Sequence, residues 1–283
     1  MFGANRDHLS FELRRSARCL PVCIATLGAV LLVGSACSPV APSSAPPVVA
    51  VPAPSGEPSD AKAAAASPGM VRIPAGTFEM GSNEGRADEK PVHRVTLPAF
   101  EMDVTEVTVR QYARCVDAGQ CTPPDQREFS TWAGPGKDDH PVNYVDWNQA
   151  MAFCKWAGKR LPTEEEWEYA ARGSANRTYP WGNDPPGDQL CWRRGESQAG
   201  TCVVGSYASG ASPFGVLDMA GNVGEWTSTQ YCDSYAAAKT CTNSLVTRGD
   251  SWFYGDPSGV RSSERNRLVA EDRLYDVGFR CAR

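Results

Sequence analysis

The chain has 283 residues, which is enough for one large domain or two small ones. Its formal net charge is −5, and residues 1–37 hold four arginines against two acids, so the remainder is more acidic than the whole. An acidic domain has no electrostatic reason to bind nucleic acid or anionic lipid, and nucleic-acid partners are therefore excluded.

The N-terminus has the layout of a targeting segment. Three arginines between residues 14 and 18 precede an apolar run over residues 19–33, and small residues follow up to Cys37. The segment resembles a bacterial lipoprotein signal, which would make residues 1–37 a signal peptide and Cys37 the lipidated first residue. An ordinary secretory signal is the alternative, and a spanning helix would need about 20 apolar residues. Both signal interpretations export the protein, and lipidation would anchor it in the cell envelope, on the periplasmic or outer-membrane side.

A change of composition separates this signal from the rest of the chain. Residues 38–68 consist mainly of Pro, Ala, Ser and Val, without hydrophobic periodicity. Such a composition buries little apolar surface, and its prolines interrupt helices. It predicts a disordered tether that holds a domain over residues 69–283 away from the membrane.

Apolar alternation predicts the strands of this domain. Residues 71–80 are expected to form a β-hairpin that turns at residues 74–76, and another strand is expected between residues 92 and 100. The closing strands are predicted over residues 246–252 and 276–281.

Capping residues predict three helices. The first spans residues 108–118, because Thr108 opens a capping box. The second begins at Asp146 and ends before Gly158, where a left-handed residue is expected. The third begins at Thr163, after a tight turn. Few helices, short strands and much ordered loop indicate one compact α+β domain.

Eight cysteines remain once Cys19 and Cys23 leave with the signal and Cys37 carries lipid. An even number in an exported chain indicates disulfides, although the sequence alone does not fix their pairing. Short spacing favours three pairs: Cys115–Cys121, Cys191–Cys202 and Cys232–Cys241.

Several ordered phrases carry a family resemblance. The longest is WNQAMAFCKWAGKRLPTEEEWEYAARG over residues 147–173, and the others are MVRIPAGTFEMGS (70–82), YPWGN (179–183), FGVLDMAGNVGEW (214–226), RGDSW (248–252) and GFRC (278–281). Residues 69–283 thereby resemble the formylglycine-generating enzyme family, also called the sulfatase-modifying factor domain. The resemblance implies a fold related to that of C-type lectins. It also implies a disulfide between Cys154 and Cys281, because family members bridge the matching cysteines.

The resemblance implies an oxidase site that these residues do not complete. Family oxidases bind Cu(I) with two cysteines, five residues apart, just after a Gly-Gly-Ser-Trp-type strand, and soft thiolates suit Cu(I). The matching positions here are Tyr254 and Gly259, and no cysteine lies between Cys241 and Cys281. Copper binding and formylglycine formation are therefore not expected. The three histidines, at positions 8, 93 and 140, do not make the family's nonheme-iron motif either.

A loop over residues 218–225 is the candidate cation site. It offers the carboxylates of Asp218 and Glu225, and the backbone carbonyls of Gly221 and Val223, and hard oxygen ligands suit Ca²⁺. The resemblance implies a structural Ca²⁺ in this loop, with Asp218 where the family has Asn. A solvated acidic turn is the alternative.

The remaining hypothesis concerns the cleft that the family uses for catalysis. Trp252, Tyr254 and Arg261 are expected to line it, and the aromatic residues suit a peptide, protein or glycan ligand. Salt bridges to acidic residues are the alternative role for the arginines. The sequence thus predicts an exported, lipid-anchored family member that binds a ligand without oxidase activity. An enzyme with different chemistry in the cleft is the alternative, and an active oxidase is a third hypothesis.

Overall fold

The computed structural model describes residues 69–192 and 200–283. The predicted signal peptide (1–37), the lipidation site at Cys37 and the tether (38–68) lie outside the described residues. No helix within the described part is both long enough and apolar enough to cross a bilayer.

The described chain forms eight short strands, three α-helices and two turns of 3-10 helix. The strands are β1 (Met70–Ile73), β2 (Gly76–Met80), β3 (His93–Leu97), β4 (Phe100–Asp103), β5 (Gly224–Cys232), β6 (Cys241–Arg248), β7 (Arg265–Leu268) and β8 (Val277–Gly278). The helices are α1 (Val109–Asp117), α2 (Trp147–Trp156) and α3 (Glu164–Arg172), and the 3-10 turns are Ala87–Glu89 and Ala208–Gly210.

The three helices begin where their caps predict. The side chains of Thr108, Asp146 and Thr163 each accept a hydrogen bond from the backbone N–H three residues ahead, at 3.2, 2.8 and 3.2 Å. Each cap satisfies an amide that the helix leaves without a partner. Gly158 has the predicted left-handed conformation after α2, with φ of +70°.

The predicted hairpin over residues 71–80 is wrong. β1 pairs with β4 and β2 with β3, both antiparallel and in one continuous register. The four strands therefore form a single long hairpin that turns between Met80 and His93 and is interrupted near Pro74 and Pro98. Because proline has no N–H to donate, these residues break the ladder without reversing the chain. The strand expected between residues 92 and 100 is split in two for the same reason.

The second sheet carries the cleft. Its strand order is β7-β6-β5-β8, with β5 and β8 parallel and the other pairs antiparallel. β6 ends at Arg248, earlier than predicted, because Gly249 and Asp250 adopt left-handed φ angles of 91° and 53°. The last strand is likewise reduced to Val277–Gly278.

Disulfides and buried ion pairs hold these parts together. The four predicted disulfides are confirmed, and they use all eight cysteines of the described chain: Cys115–Cys121, Cys154–Cys281, Cys191–Cys202 and Cys232–Cys241. The Cys154–Cys281 bridge spans 127 residues and joins α2 to the end of the chain. Arg248 on β6 is fully buried and pairs with Glu168 at 2.5 Å and Glu164 at 3.2 Å, which fixes α3 against the sheet.

Candidate functional site

A cavity of about 750 Å³ opens beside β7, between the loop that follows β6 and the C-terminal segment. Its wall contains the three predicted residues Tyr254, Gly259 and Arg261. The wall also contains polar residues that sequence reasoning did not assign to the site, among them Asp250, Ser251, Glu264 and Asp276.

The chain turns sharply to place Asp250 in this wall. Gly249 is required at the turn, since a Cβ there would lie 3.0 Å from the ring of Trp167 and its φ is +91°. Asp250 follows with φ of +53°, a conformation that Asp tolerates better than most residues. Its carboxylate then lies directly over Gly259, where a Cβ would come 2.1 Å from Asp250 Oδ2. The space next to the second copper-cysteine position is thus filled by a carboxylate.

Burial and neighbouring negative charges raise the pKa values of the acidic groups around Asp250. Burial raises the pKa of Asp250 to about 6, with further increases from the charges of Asp276 and Asp256. Burial also raises the pKa of Asp276, whose Oδ2 accepts a hydrogen bond from Ser251 Oγ at 3.3 Å. Tyr254 is 49% exposed, and burial followed by the charges of these two aspartates raises its pKa. The wall therefore presents two carboxyl groups with raised pKa values, of which Asp250 titrates near pH 6, and a phenol that stays protonated and can donate a hydrogen bond.

Arg261 forms ion pairs with two glutamates. Its guanidinium contacts both carboxylate oxygens of Glu89 at 2.8 Å and one of Glu264 at 3.0 Å. Arg86 contacts Glu264 from the other side, at 2.7 Å. The net effect of burial, the Arg86 cation and the Glu89 carboxylate raises the pKa of Glu264 to about 7. Arg261 thus closes the cavity wall as part of a charged network.

Trp252 lies behind the cleft instead of lining it. Its residue is 2% exposed, and its ring packs against Phe129, Phe253 and Tyr275 at centroid distances of 5.5, 5.5 and 6.0 Å. The prediction placed it in the cleft because it lies beside the matched copper-cysteine position in the sequence. The left-handed Asp250 turns the chain so that Tyr254, four residues further on, reaches the cavity.

The sequence contained a clue to the role of Asp250. In the motif RGDSW (248–252), Asp250 stands where the family's Gly-Gly-Ser-Trp pattern has its second glycine. Asp276 had no such signal. It comes from a segment 26 positions away, and only the pairing of β5 with β8 brings it to the site.

The copper donor set does not fit this cavity. Tyr254 and Gly259 offer no sulfur, and every cysteine of the described chain is in a disulfide. Cu(I) prefers thiolate or thioether ligands, so carboxylates and a phenol are poor substitutes.

The predicted calcium loop lies in the interior, beside the C-terminal segment. Asp218 has φ of +57°, and its Oδ2 accepts the Gly205 N–H at 2.6 Å. The two oxygens of Glu225 each lie 2.7 Å from the guanidinium of Arg280, and one also accepts from Trp167 Nε1 at 2.8 Å. Glu225 is therefore already satisfied by hydrogen bonds from the protein.

Glu106 joins this cluster, and sequence reasoning missed it. It is 1% exposed, and neither carboxylate oxygen has a hydrogen-bond partner within the described residues. Burial and the charge of Asp218 raise its pKa, although Arg280 opposes them. A protonated Glu106 could donate to Asp218, but two ionised carboxylates here would need a cation.

The cluster fits a hard cation in part. Glu106, Asp218 and Glu225 surround the single guanidinium of Arg280, so negative charge is in excess. No three His, Cys, Asp or Glu side chains in the described segments are arranged as a metal-binding group. A cation would therefore need backbone oxygens as well, and Ca²⁺ commonly takes them.

Fold and site together define the class of this protein. An α+β domain with one interrupted hairpin, three capped helices and a cleft beside a curled sheet matches the C-type-lectin-like architecture predicted above. The chain belongs to the sulfatase-modifying factor enzyme 1-like domain family, which matches residues 55–283.

Individual relatives include active and inactive members. The chain is 33% identical to a formylglycine-generating enzyme of Streptomyces coelicolor over 258 residues, covering 69% of this chain and 81% of the enzyme. It is 40% identical over 172 residues to the inactive C-alpha-formylglycine-generating enzyme 2 of Bos taurus, covering 53% and 54% of the two chains. The solved structure of PvdO from Pseudomonas aeruginosa superposes with a TM-score of 0.65 at 29% identity, covering 76% and 93%.

Proposed function

We propose that this protein binds a polar ligand of the peptide or glycan class in the cleft and does not form formylglycine by copper chemistry. The observation that supports the proposal most directly is the contact between Asp250 and Gly259. A carboxylate fills the space that a thiol at position 259 would need, and Tyr254 replaces the other thiol.

The cleft suits a ligand rich in hydrogen-bond donors. Asp250 and Asp276 are acceptors, and the half-exposed ring of Tyr254 offers a flat apolar surface beside them. Peptides and glycans both combine polar edges with apolar faces. One relative, from Bos taurus, is named as inactive, and its name supports the idea that the family includes members without the oxidase reaction.

A structural Ca²⁺ accompanies this proposal. Glu106 and Asp218 would hold it together with the backbone oxygens of Gly221 and Val223, while Glu225 would stay paired with Arg280. The cation would neutralise the excess charge of the cluster and fix the loop that precedes β5.

The location of the protein is part of the same proposal. Export, lipidation at Cys37 and a tether over residues 38–68 would present the cleft at a distance from a membrane. Labelling of the full chain with a radioactive fatty acid tests this, and a Cys37→Ser chain that still carries the label contradicts lipidation.

The direct test of function has two arms, both with the full chain. Cu(I) is titrated against a chromogenic chelator, and a cysteine-containing sulfatase peptide is assayed for an aldehyde. Neither tight copper binding nor aldehyde is expected. Peptide and glycan arrays are then screened with wild type and Asp250→Asn, and ligands bound in the cleft should be weakened by the substitution. Aldehyde formation by wild type would contradict the proposal.

A second candidate is catalysis of another kind in the same cleft. It is favoured by Asp250, whose pKa burial raises to about 6, because a carboxyl group that titrates near neutrality is suited to proton transfer. Burial also raises the pKa of the neighbouring Asp276. Turnover of a bound ligand, lost in Asp250→Asn with binding retained, would favour this candidate over simple binding.

A further inference from the structure

The strand β7 forms one outer edge of the four-stranded sheet. It pairs with β6 on one side, and in the described part of the chain no strand lies on its other side. Asn266 and Arg267 are exposed. An open edge of this kind can accept another strand, because its outward N–H and C=O groups remain available.

The direction of the backbone groups on β7 follows from two contacts. The carbonyl of Arg265 accepts a hydrogen bond from the guanidinium of Arg86, and the N–H of Val269 donates to Asp272 Oδ2 at 3.0 Å. In an antiparallel pair, alternate residues direct both backbone groups away from the partner strand. Arg267 lies between these two positions at even spacing, so its N–H and C=O point outward from β6.

Two side chains cover the outer edge of the strand on either side of Arg267 and leave the backbone of Arg267 uncovered. Arg86 covers the edge at Arg265, and Asp272 covers it at Val269. Charged side chains that cover an edge strand in this way commonly protect it from pairing with other chains. The gap between them exposes the donor and the acceptor of one residue, which is where a single residue of an extended chain would bind.

A cavity lies on each side of this edge. Leu268 lines the cavity of about 750 Å³, Arg265 lines a second cavity of about 460 Å³, and Asn266 and Arg267 border both. The guanidinium groups of Arg265 and Arg267 both lie over the ring of Tyr231, at 4.9 and 5.1 Å, which places their side chains on the face of the second cavity.

This arrangement matches the geometry of a β-strand. Successive side chains of an extended peptide point to opposite faces, so a peptide added at β7 would direct alternate side chains into the two cavities. Backbone pairing then provides affinity and the pockets provide selectivity.

The charge of the larger cavity selects among side chains. Three arginines border it: Arg86 and Arg261 are paired with glutamates, and the guanidinium of Arg267 lies over Tyr231 on the face of the other cavity. Asp250, Asp256 and Asp276 form no ion pair within residues 69–192 and 200–283, so they are available for an incoming cation.

We infer that β7 receives an extended peptide segment of a partner protein as an added strand, bonded to the backbone of Arg267. The segment places a Lys or Arg side chain in the cavity that contains Asp250, Asp256 and Asp276. The inference rests on the proposed ligand-binding function and specifies the ligand as a basic peptide.

The test compares two substitutions at one residue. Arg267→Pro removes the outward N–H, and proline is tolerated on edge strands where that group faces solvent. Arg267→Ala removes the side chain and keeps the N–H. The probe is a positional-scanning library of acetylated hexapeptide amides, measured against the full chain. We expect Lys or Arg to be selected at one position, at least tenfold weaker binding for Arg267→Pro, and less than threefold change for Arg267→Ala.

A second measurement does not depend on the folding of a variant. Hexapeptides selected by wild type are resynthesised with one N-methyl group at each position in turn. Methylation of the residue opposite Arg267 should abolish binding, and methylation at the flanking positions should not. Equal binding of the Pro and Ala variants, or no sensitivity to N-methylation, would overturn the inference. If no hexapeptide binds but an Asp250-dependent glycan does, the inference fails while the proposed function stands.

Discussion

The carboxylate of Asp250 occupies the space that a side chain at position 259 would need: a Cβ at Gly259 would lie 2.1 Å from Asp250 Oδ2. Asp250 stands where the family pattern has glycine, and Gly259 stands where family oxidases have cysteine. Asp250 therefore fits a glycine at position 259 and leaves no room, in its present rotamer, for the cysteine that family oxidases have there. The two departures from the family pattern are coupled through one steric contact.

This coupling predicts the result of restoring the copper cysteines. The double substitution Tyr254→Cys with Gly259→Cys should fold less stably than wild type by about 1–3 kcal/mol, because the new Cβ overlaps Asp250. The triple variant that also carries Asp250→Gly should recover that stability. It should also bind Cu(I) more tightly than the double variant. Denaturant unfolding and chelator competition measure the two effects. Equal stability of the double and triple variants would show that Asp250 simply rotates away.

Asp250 also predicts a pH dependence of stability. Its pKa in the folded protein is about 6 against an ordinary value of 3.8, mainly because burial disfavours the charged form. The folded state therefore holds a proton that the unfolded state loses, and the free energy of unfolding falls as the pH rises from 4 through 6. Asp250→Asn removes this loss, and should stabilise the protein by about 1–3 kcal/mol at pH 8 and by nothing at pH 4.

The neighbouring Asp256 is the matched control. The Ser258 amide holds the pKa of Asp256 below its ordinary value, so the ionised form is favoured in the folded state. Asp256→Asn should therefore give no stabilisation at pH 8. Urea unfolding at both pH values distinguishes the two aspartates, and equal effects of the two substitutions would contradict the assignment.

The long disulfide should matter more than the short one. Cys154–Cys281 closes 127 residues and Cys115–Cys121 closes 6, so the chain-entropy relation gives losses of about 5 and about 2 kcal/mol on removal. Replacing each pair with alanine and measuring guanidinium unfolding under oxidising conditions tests the difference. Similar losses for both pairs would mean that strain or packing, and not loop closure, sets their contribution.

Calcium binding is tested through Glu106. At a concentration 100 times Kd, Ca²⁺ should raise the Tm by about 5–10 °C relative to EDTA. Glu106→Gln should raise the Tm in EDTA at pH 8, because an amide is neutral there without the proton that a buried carboxyl beside Asp218 must retain. The substitution should also reduce the calcium-dependent shift. The exposed Glu271→Gln is the control and should change neither value. A Tm that is the same in Ca²⁺ and EDTA would exclude the site.

The helix boundaries could be predicted because their causes are local. Thr108, Asp146 and Thr163 each bond an amide three residues ahead, and the chain cannot form the helix without presenting that amide. The hairpin could not be predicted in the same way. Apolar alternation indicates that residues 71–80 are strands, but it does not show which strands pair. Pro74 and Gly76 favoured a turn that the chain does not make.

The sequence by itself determined the family, the helix starts and the loss of the copper thiols, since each depends on residue identity or on contacts within a few positions. Short spacing favoured three of the disulfides, and the Cys154–Cys281 bridge was implied only by the family resemblance. Only the tertiary structure decided that Asp250 lies over Gly259, that Trp252 is buried, that Glu106 joins Asp218, and that the edge of β7 separates two cavities. These relationships join residues far apart in the chain or on opposite faces of a strand. Their geometry is set by how the sheets pack, which no local pattern records.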